Sequence, residues 1–146
     1  TLVPATMQTF VVLFLGMVLG YKLAVATVIL YLIEGSIGLP VFAKGGGFAY
    51  LMGPTGGYLI GFILTAFFAG MIKIKNDPIV IFICLLLSVS ASYVFGLLGL
   101  WNYMGLDKSF NQVFLLGAQP FLLIEIYKIL ILSVLSKQIL KLRRFI

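Results

Sequence analysis

The chain has 146 residues, of which 62% are hydrophobic and only 10% are charged, and its formal net charge is +6. Its mean hydropathy is +1.21, and apolar stretches recur along the whole length, which soluble globular chains do not show. These values exclude a soluble domain and predict a single integral membrane domain over residues 1–146.

Five apolar stretches, separated by short polar loops, predict an all-α fold of the polytopic membrane-bundle type. In chain order the predicted spans are Thr6–Leu19, Leu23–Leu39, Tyr58–Ile72, Pro78–Leu100 and Pro120–Ser136. The first and third are short for a hydrocarbon core about 30 Å thick, so we expect each of them to include flanking residues.

The distribution of positive charge predicts the orientation. If the spans alternate, most Lys and Arg residues fall on one side, whereas the other side receives only Lys44 and Lys108. The basic side carries Lys22, Lys73, Lys75, Lys137, Lys141, Arg143 and Arg144. The positive-inside rule therefore predicts a multi-pass protein with a cytoplasmic C-terminus. We interpret the basic tail as a topology signal beside anionic membrane lipid, and not as a nucleic-acid site.

The first residues indicate that a further helix precedes them. The predicted orientation puts Thr1 on the outside, and the chain begins without Met. The opening TLVPATMQTF is typical of the end of a loop that leads into a span. We therefore infer an earlier helix, which would give the complete protein six spans. A cleaved signal peptide is the alternative.

A long glycine-rich loop, GLPVFAKGGGFAYLMGPTGGY, connects the second and third spans on the outer side. Pro40 and Pro54 exclude one continuous helix, and the glycines permit a close approach to a ligand. Apolar side chains within the loop indicate that it folds onto the bundle, so we expect a lid; an ordinary flexible connection is the alternative. The end of the loop contributes five expected substrate-binding residues: Gly53, Pro54, Thr55, Gly56 and Tyr58.

Two opposite charges lie inside the last apolar run, PFLLIEIYKILILSVL. Ionisable groups at membrane depth cost about 2.5–3.5 kcal/mol each on insertion scales, so they are rarely retained without a use. Their spacing of three places Glu125 and Lys128 on one helical face, within reach of each other and of a shared ligand. Because they follow the outer start of this helix at Pro120, we expect them to line a pocket that opens outward beneath the loop. An ion pair that only joins helices is the alternative.

Further polar residues at membrane depth could complete this pocket: Gln8, Tyr31, Glu34, Gln119 and Tyr127. Tyr31 and Glu34 share a helical face near the outer end of the second span. The sequence does not favour an enzyme, because the chain has no His, no paired aspartates and no phosphate-binding GxxxxGK loop. The chain therefore cannot couple ATP hydrolysis to transport by itself, and we expect no cofactor.

Four segments together resemble the BioY family, the biotin-capturing S components of energy-coupling-factor vitamin transporters. The segments are VPATMQTFVVLFLGMVLG, YLIEGSIGLPVF, GPTGGYLIGF and AQPFLLIEIYK. Their combination covers nearly the whole chain and is specific, whereas GPTGGY alone would be a weaker signal. Family members are similar in having six membrane helices, which agrees with the inferred earlier helix.

The resemblance implies a membrane subunit, not an enzyme, that binds biotin tightly on the outside. It also implies that this subunit lies in a bacterial-type plasma membrane. Uptake would require a transmembrane coupling subunit and two ATPases as partners. The acidic residue and the lysine of the family's final-helix motif, which contact biotin, fall on Glu125 and Lys128. The family commonly has Asp where this chain has Glu125, which moves the carboxylate by about one bond length. An S component for another vitamin and a structural membrane protein with a helix-locking ion pair are the alternatives.

Overall fold

The computed structural model describes residues 5–73 and 75–146, and these ranges are nearly all helical. The α-helices are α1 (Gln8–Leu19), α2 (Tyr21–Ser36), α3 (Phe48–Leu51), α4 (Gly56–Gly70), α5 (Pro78–Met104), α6 (Phe110–Gly117), α7 (Leu122–Val134) and α8 (Ser136–Lys141). Short 3-10 turns, Gln119–Phe121 and Leu142–Phe145, precede α7 and follow α8. The predicted all-α class is therefore confirmed for the described ranges. The inference of an earlier helix concerns the start of the chain and lies outside them.

Each of the five predicted spans overlaps one helix, in chain order α1, α2, α4, α5 and α7. By length and composition, two helical stretches among the described residues can cross a membrane: Pro78–Met104 with 27 residues and Phe110–Val134 with 25 residues. The apolar helices α1 and α4 are shorter, at 12 and 15 residues. The helical character of the apolar stretches is thus confirmed, whereas the number of spans stays a prediction.

Local sequence explains where the helices begin and end. Gly20 alone separates α1 from α2, and its φ of 80° is accessible to glycine at low cost. Pro78 opens α5, where its missing N–H costs no intrahelical hydrogen bond. Ser109 and Gln112 form a capping box at the start of α6, in which each side chain accepts from the other residue's backbone N–H.

Small residues let the helices approach closely around α4. A Cβ on Gly61 would lie 2.6 Å from the Ser92 Cα of α5. On the α1 side, a Cβ on Gly16 would lie 2.7 Å from the Ala69 Cβ of α4. Such contacts are the usual means by which membrane helices associate, because lipid supplies no hydrophobic driving force between them. α4 therefore forms the centre of the bundle, with α1, α2 and α5 around it.

The last helices complete the space in which the site lies. α7 packs against α5 and α1, and α8 continues along α1. Ile129 and Leu132 of α7 are fully buried and pack with Leu13 of α1 and Leu85 of α5 in one apolar cluster. This packing fixes α7 against two other helices.

The glycine-rich loop folds back onto the bundle; in the structure it comprises residues 37–55, between α2 and α4, and contains α3. Its anchor is Phe42, which is only 4% exposed. The Phe42 ring occupies the space above Gly35, where a Cβ would lie 2.0 Å from the ring. Tyr31 and Tyr50 pack against the same ring, with centroid distances of 5.4 and 5.1 Å. The predicted docking of the loop onto the bundle is confirmed at this anchor.

Candidate ligand-binding site

The first half of α7 carries a buried pair of opposite charges. Glu125 and Lys128 are 6% and 5% exposed, and Lys128 Nζ lies 3.3 Å from Glu125 Oε1. The two residues are three apart in the helix, so their side chains leave the same face. The sequence prediction of an adjacent pair on one wall therefore agrees with the geometry.

Helices α1 and α5, together with Thr6 just before α1, provide the remaining partners of these two charges. Thr9 Oγ1 lies 2.9 and 3.0 Å from the two carboxylate oxygens of Glu125. The Tyr93 hydroxyl donates to Glu125 Oε1 at 3.0 Å. Lys128 Nζ donates to Thr6 O at 2.6 Å and to Thr9 Oγ1 at 3.1 Å. Three helices thus converge on one carboxylate and one ammonium.

The pair concentrates charge without adding net charge to the site. Burying an isolated ion costs several kcal/mol, and here the opposite charge and the surrounding donors and acceptors offset that cost. A ligand that enters must replace some of these contacts, because an unpartnered buried charge is strongly unfavourable. The arrangement therefore favours a molecule that offers hydrogen-bond donors and acceptors together.

A cavity of about 50 Å³ lies against this pair. Its polar side is formed by Thr6, Gln8, Thr9, Glu125 and Lys128. Its apolar and aromatic side is formed by Leu59, Phe62, Tyr93, Phe121 and Ile124. The loop contributes Ala43, Tyr50 and Thr55. Apolar walls with a few convergent polar groups are the usual composition of a small-molecule site.

Tyr58 and Tyr93 form a rigid aromatic corner of the cavity. Their rings meet edge to face with centroids 5.7 Å apart, a favourable arrangement for aromatic pairs. The Tyr58 hydroxyl donates to Gly117 O at 2.6 Å, which ties α4 to the end of α6. Because Tyr58 is held at both its ring and its hydroxyl, it fixes Tyr93 in the position from which it reaches Glu125.

Of the ten predicted site residues, the cavity lining includes Thr55, Tyr58, Glu125 and Lys128. Tyr31 is connected to the lining through Gln8, whose Nε2 lies 2.6 Å from the Tyr31 hydroxyl. The other five predicted residues are not among the lining residues: Glu34, Gln119, Gly53, Pro54 and Gly56. Gly56 is buried, and a Cβ there would lie 1.7 Å from Leu51 O, so its position serves backbone packing.

Besides Lys128, two side chains bind the Glu125 carboxylate, and neither was predicted as a site residue: Thr9 and Tyr93. A signal for Thr9 exists in the sequence, because Thr6, Gln8 and Thr9 bring three polar residues to the start of an otherwise apolar helix. Tyr93 lies in the middle of α5, where a tyrosine hydroxyl requires a partner. Neither signal names the partner, since the contacts join residues 32 or more positions apart.

Fold and site together define a helical membrane protein with a pocket beside a buried pair of opposite charges. Within the described ranges, no group of three or more metal-ligating side chains occurs. The chain belongs to the BioY family, whose sequence model matches residues 1–145.

Several relatives are similar over most of the chain. A protein of Pyrococcus horikoshii named "Probable biotin transporter BioY" is 39% identical over 127 residues, covering 86% of this chain and 74% of the relative. The "Biotin transporter BioY" of Thermotoga maritima is 33% identical over 142 residues, covering 96% of this chain and 82% of the relative. A crystal structure of the S-component for biotin from an ECF-type ABC transporter superposes with a TM-score of 0.82 and 25% identity. That match covers 95% of this chain and 76% of the other.

Proposed function

We propose that this chain captures biotin in the cavity beside Glu125 and Lys128 and mediates biotin uptake across the membrane. Family membership and relatives named as biotin transporters support this function and identify a transport protein, not an enzyme. The observation that carries the site assignment is the buried pair of opposite charges on the wall of an aromatic cavity.

The chemistry of biotin matches the chemistry of this wall. Its fused ring offers ureido N–H donors for the Glu125 carboxylate, which already accepts hydrogen bonds from Thr9 and Tyr93. Lys128 can donate to an oxygen of biotin, either the ureido carbonyl or the valerate carboxylate. The rings of Tyr58, Tyr93 and Phe62 supply flat apolar surface for the bicyclic ring.

Binding requires the loop to move. The cavity of about 50 Å³ is far smaller than the roughly 300 Å³ or more that a drug-sized ligand needs. Ala43, Tyr50 and Thr55 of the loop form one wall, whereas the other walls are helices packed against one another. We therefore assign the role of lid to residues 37–55, with Phe42 as the anchor that is released or shifted when biotin enters.

Uptake also requires energy that this chain does not supply. The solved S-component belongs to an ECF-type ABC transporter, and we propose the corresponding partners for this chain: a transmembrane coupling subunit and two ATPases. We further propose a cytoplasmic C-terminus, because most Lys and Arg residues lie on the side of the bundle that contains it.

A biotin titration of the purified protein tests this function. We expect saturable binding with one site per chain and a thermal midpoint that rises with biotin concentration, as mass action requires for a ligand of the native state. Competition by lipoate, thiamine or riboflavin that displaces bound biotin at similar concentrations would instead support an S component for another vitamin.

The hydrogen bonds among α1, α5 and α7 favour a second candidate function, in which the charged pair only locks helices together. In that case no small molecule should raise the thermal midpoint, and biotin should bind neither wild type nor any variant. Saturable biotin binding by the wild type would exclude this alternative.

A further inference from the structure

A second recess lies at the other end of α1, away from the charged pair. It is open, with a volume of about 330 Å³, and is lined by Lys73, Leu140, Arg143 and Arg144. Three of these four lining residues are cations and none is acidic. Cations that converge on a concave surface raise the local concentration of anions.

Arg143 is the fixed part of this recess. Its Nε and Nη2 donate to Met17 O at 3.0 and 2.7 Å, and its Nη1 donates to Ile72 O at 3.0 Å. These carbonyl oxygens satisfy donors but do not neutralise the charge. Partial burial lowers the pKa of the Arg143 guanidinium, because burial disfavours the charged form. The recess therefore contains an ordered positive charge that lacks an acidic partner among the described residues.

The chain end next to this recess is apolar and exposed. Leu142, Phe145 and Ile146 are 43%, 85% and 62% exposed, and they flank the two arginines in sequence. Amphipathic segments of this kind, with cations beside exposed apolar side chains, lie in the interface between lipid headgroups and acyl chains. The occupant that fits both the cations and this rim is an amphiphilic anion.

We propose that the recess binds the headgroup phosphate of an anionic phospholipid. Lys73, Arg143 and Arg144 contact the phosphate oxygens, with Arg143 pre-oriented by its carbonyl partners. Leu142 and Phe145 lie against the glycerol and the first methylenes of the acyl chains. Basic pockets between helices at a membrane surface are suited to such headgroups. Lipid bound here would hold α8 and the C-terminal turn against α1 and α4.

The experiment titrates the purified full chain in neutral detergent with three soluble probes: dihexanoyl phosphatidylglycerol, dihexanoyl phosphatidylcholine and inorganic phosphate. The readouts are the thermal midpoint and the phosphatidylglycerol that native mass spectrometry finds retained on the protein. We expect phosphatidylglycerol to raise the midpoint saturably, while phosphatidylcholine and phosphate leave it within about one degree, because neither supplies both the net negative charge and the acyl chains.

The test variant is the double substitution K73Q/R144Q, which leaves the Arg143 hydrogen bonds in place. The matched control is K22Q/K141Q, which removes the same charge from the same side of the bundle outside the recess lining. We expect the test variant to weaken phosphatidylglycerol binding about tenfold or more, and the control by less than about threefold. Both variants should retain biotin binding, which verifies folding.

Three results would overturn the proposal. Equal loss of phosphatidylglycerol binding in both double variants would mean that the lipid responds to diffuse charge and does not occupy a specific site. An equal rise of the thermal midpoint with inorganic phosphate would mean that the recess binds a free anion and not a lipid. No saturable effect of phosphatidylglycerol would remove the recess as a lipid site.

Discussion

The two ends of α1 meet the C-terminal helices through polar contacts of opposite electrostatic character. At one end, Thr9 contacts a carboxylate and an ammonium that neutralise each other. At the other end, the carbonyls of Gly16 and Met17 accept from Arg143, whose charge has no acidic partner in the described ranges. A neutral pair selects a ligand by the pattern of its donors and acceptors. An uncompensated cation attracts anions of many shapes.

We expect the largest effect from a substitution that removes one charge of the Glu125–Lys128 pair. Lys128→Met leaves the Glu125 carboxylate buried without its cation, and breaking a buried pair costs about 3–5 kcal/mol. We expect a large fall in the thermal midpoint and loss of biotin binding. The double variant E125Q/K128M removes both charges and should recover much of the stability but not the binding. If Lys128→Met alone kept wild-type stability, the pair would not be electrostatically coupled.

Thr9→Val tests the contribution of Thr9 to the charged pair. It keeps the side-chain shape and removes the hydroxyl that contacts both charges. Hydrogen bonds to charged groups contribute up to about 3 kcal/mol, so we expect a loss near that value. Chemical unfolding in mixed micelles measures the change. Thr27→Val is the control, since the Thr27 hydroxyl contacts only a backbone carbonyl of its own helix. Equal losses of stability in both variants would mean that the Thr9 hydroxyl contributes no more than a hydroxyl bonded within its own helix.

Arg143→Met tests the end of α1 whose carbonyls contact Arg143. The substitution retains an apolar stem but leaves the carbonyls of Met17 and Ile72 without the guanidinium, at a cost of about 2 kcal/mol. We expect a lower thermal midpoint with little change in biotin affinity, because the pocket lies at the other end of α1. Arg144→Met should change stability much less. Loss of biotin affinity in Arg143→Met would show that the two ends are energetically coupled.

Tyr93→Phe is the mildest of the changes around the Glu125–Lys128 pair. It removes one donor to Glu125 and preserves the ring contact with Tyr58, so we expect a loss of about 1.5 kcal/mol. Biotin affinity should fall modestly, because Thr9 and Lys128 still hold the carboxylate. Isothermal titration of the variant measures the effect. An affinity above that of the wild type would mean that Tyr93 competes with the ligand for Glu125.

The sequence was sufficient for the helices and for the charged pair, because both are local patterns. Apolar runs mark the helices, and Glu125 and Lys128 are neighbours on one helical turn. The partners of that pair were not predictable in the same way. Thr9 and Tyr93 meet Glu125 only because α1, α5 and α7 pack together. The loop illustrates the same limit, since its apolar content predicted docking but did not identify the Phe42 anchor.

The decisive measurement is a biotin titration of three proteins: the wild type, Glu125→Gln, and Asp107→Asn as the matched control. Asp107 is exposed and lies outside the cavity lining, so its substitution changes charge without touching the site. We predict saturable binding by the wild type and Asp107→Asn, and at least about tenfold weaker binding by Glu125→Gln, from the loss of a charge-assisted hydrogen bond. Equal affinity in all three proteins would place the biotin site elsewhere.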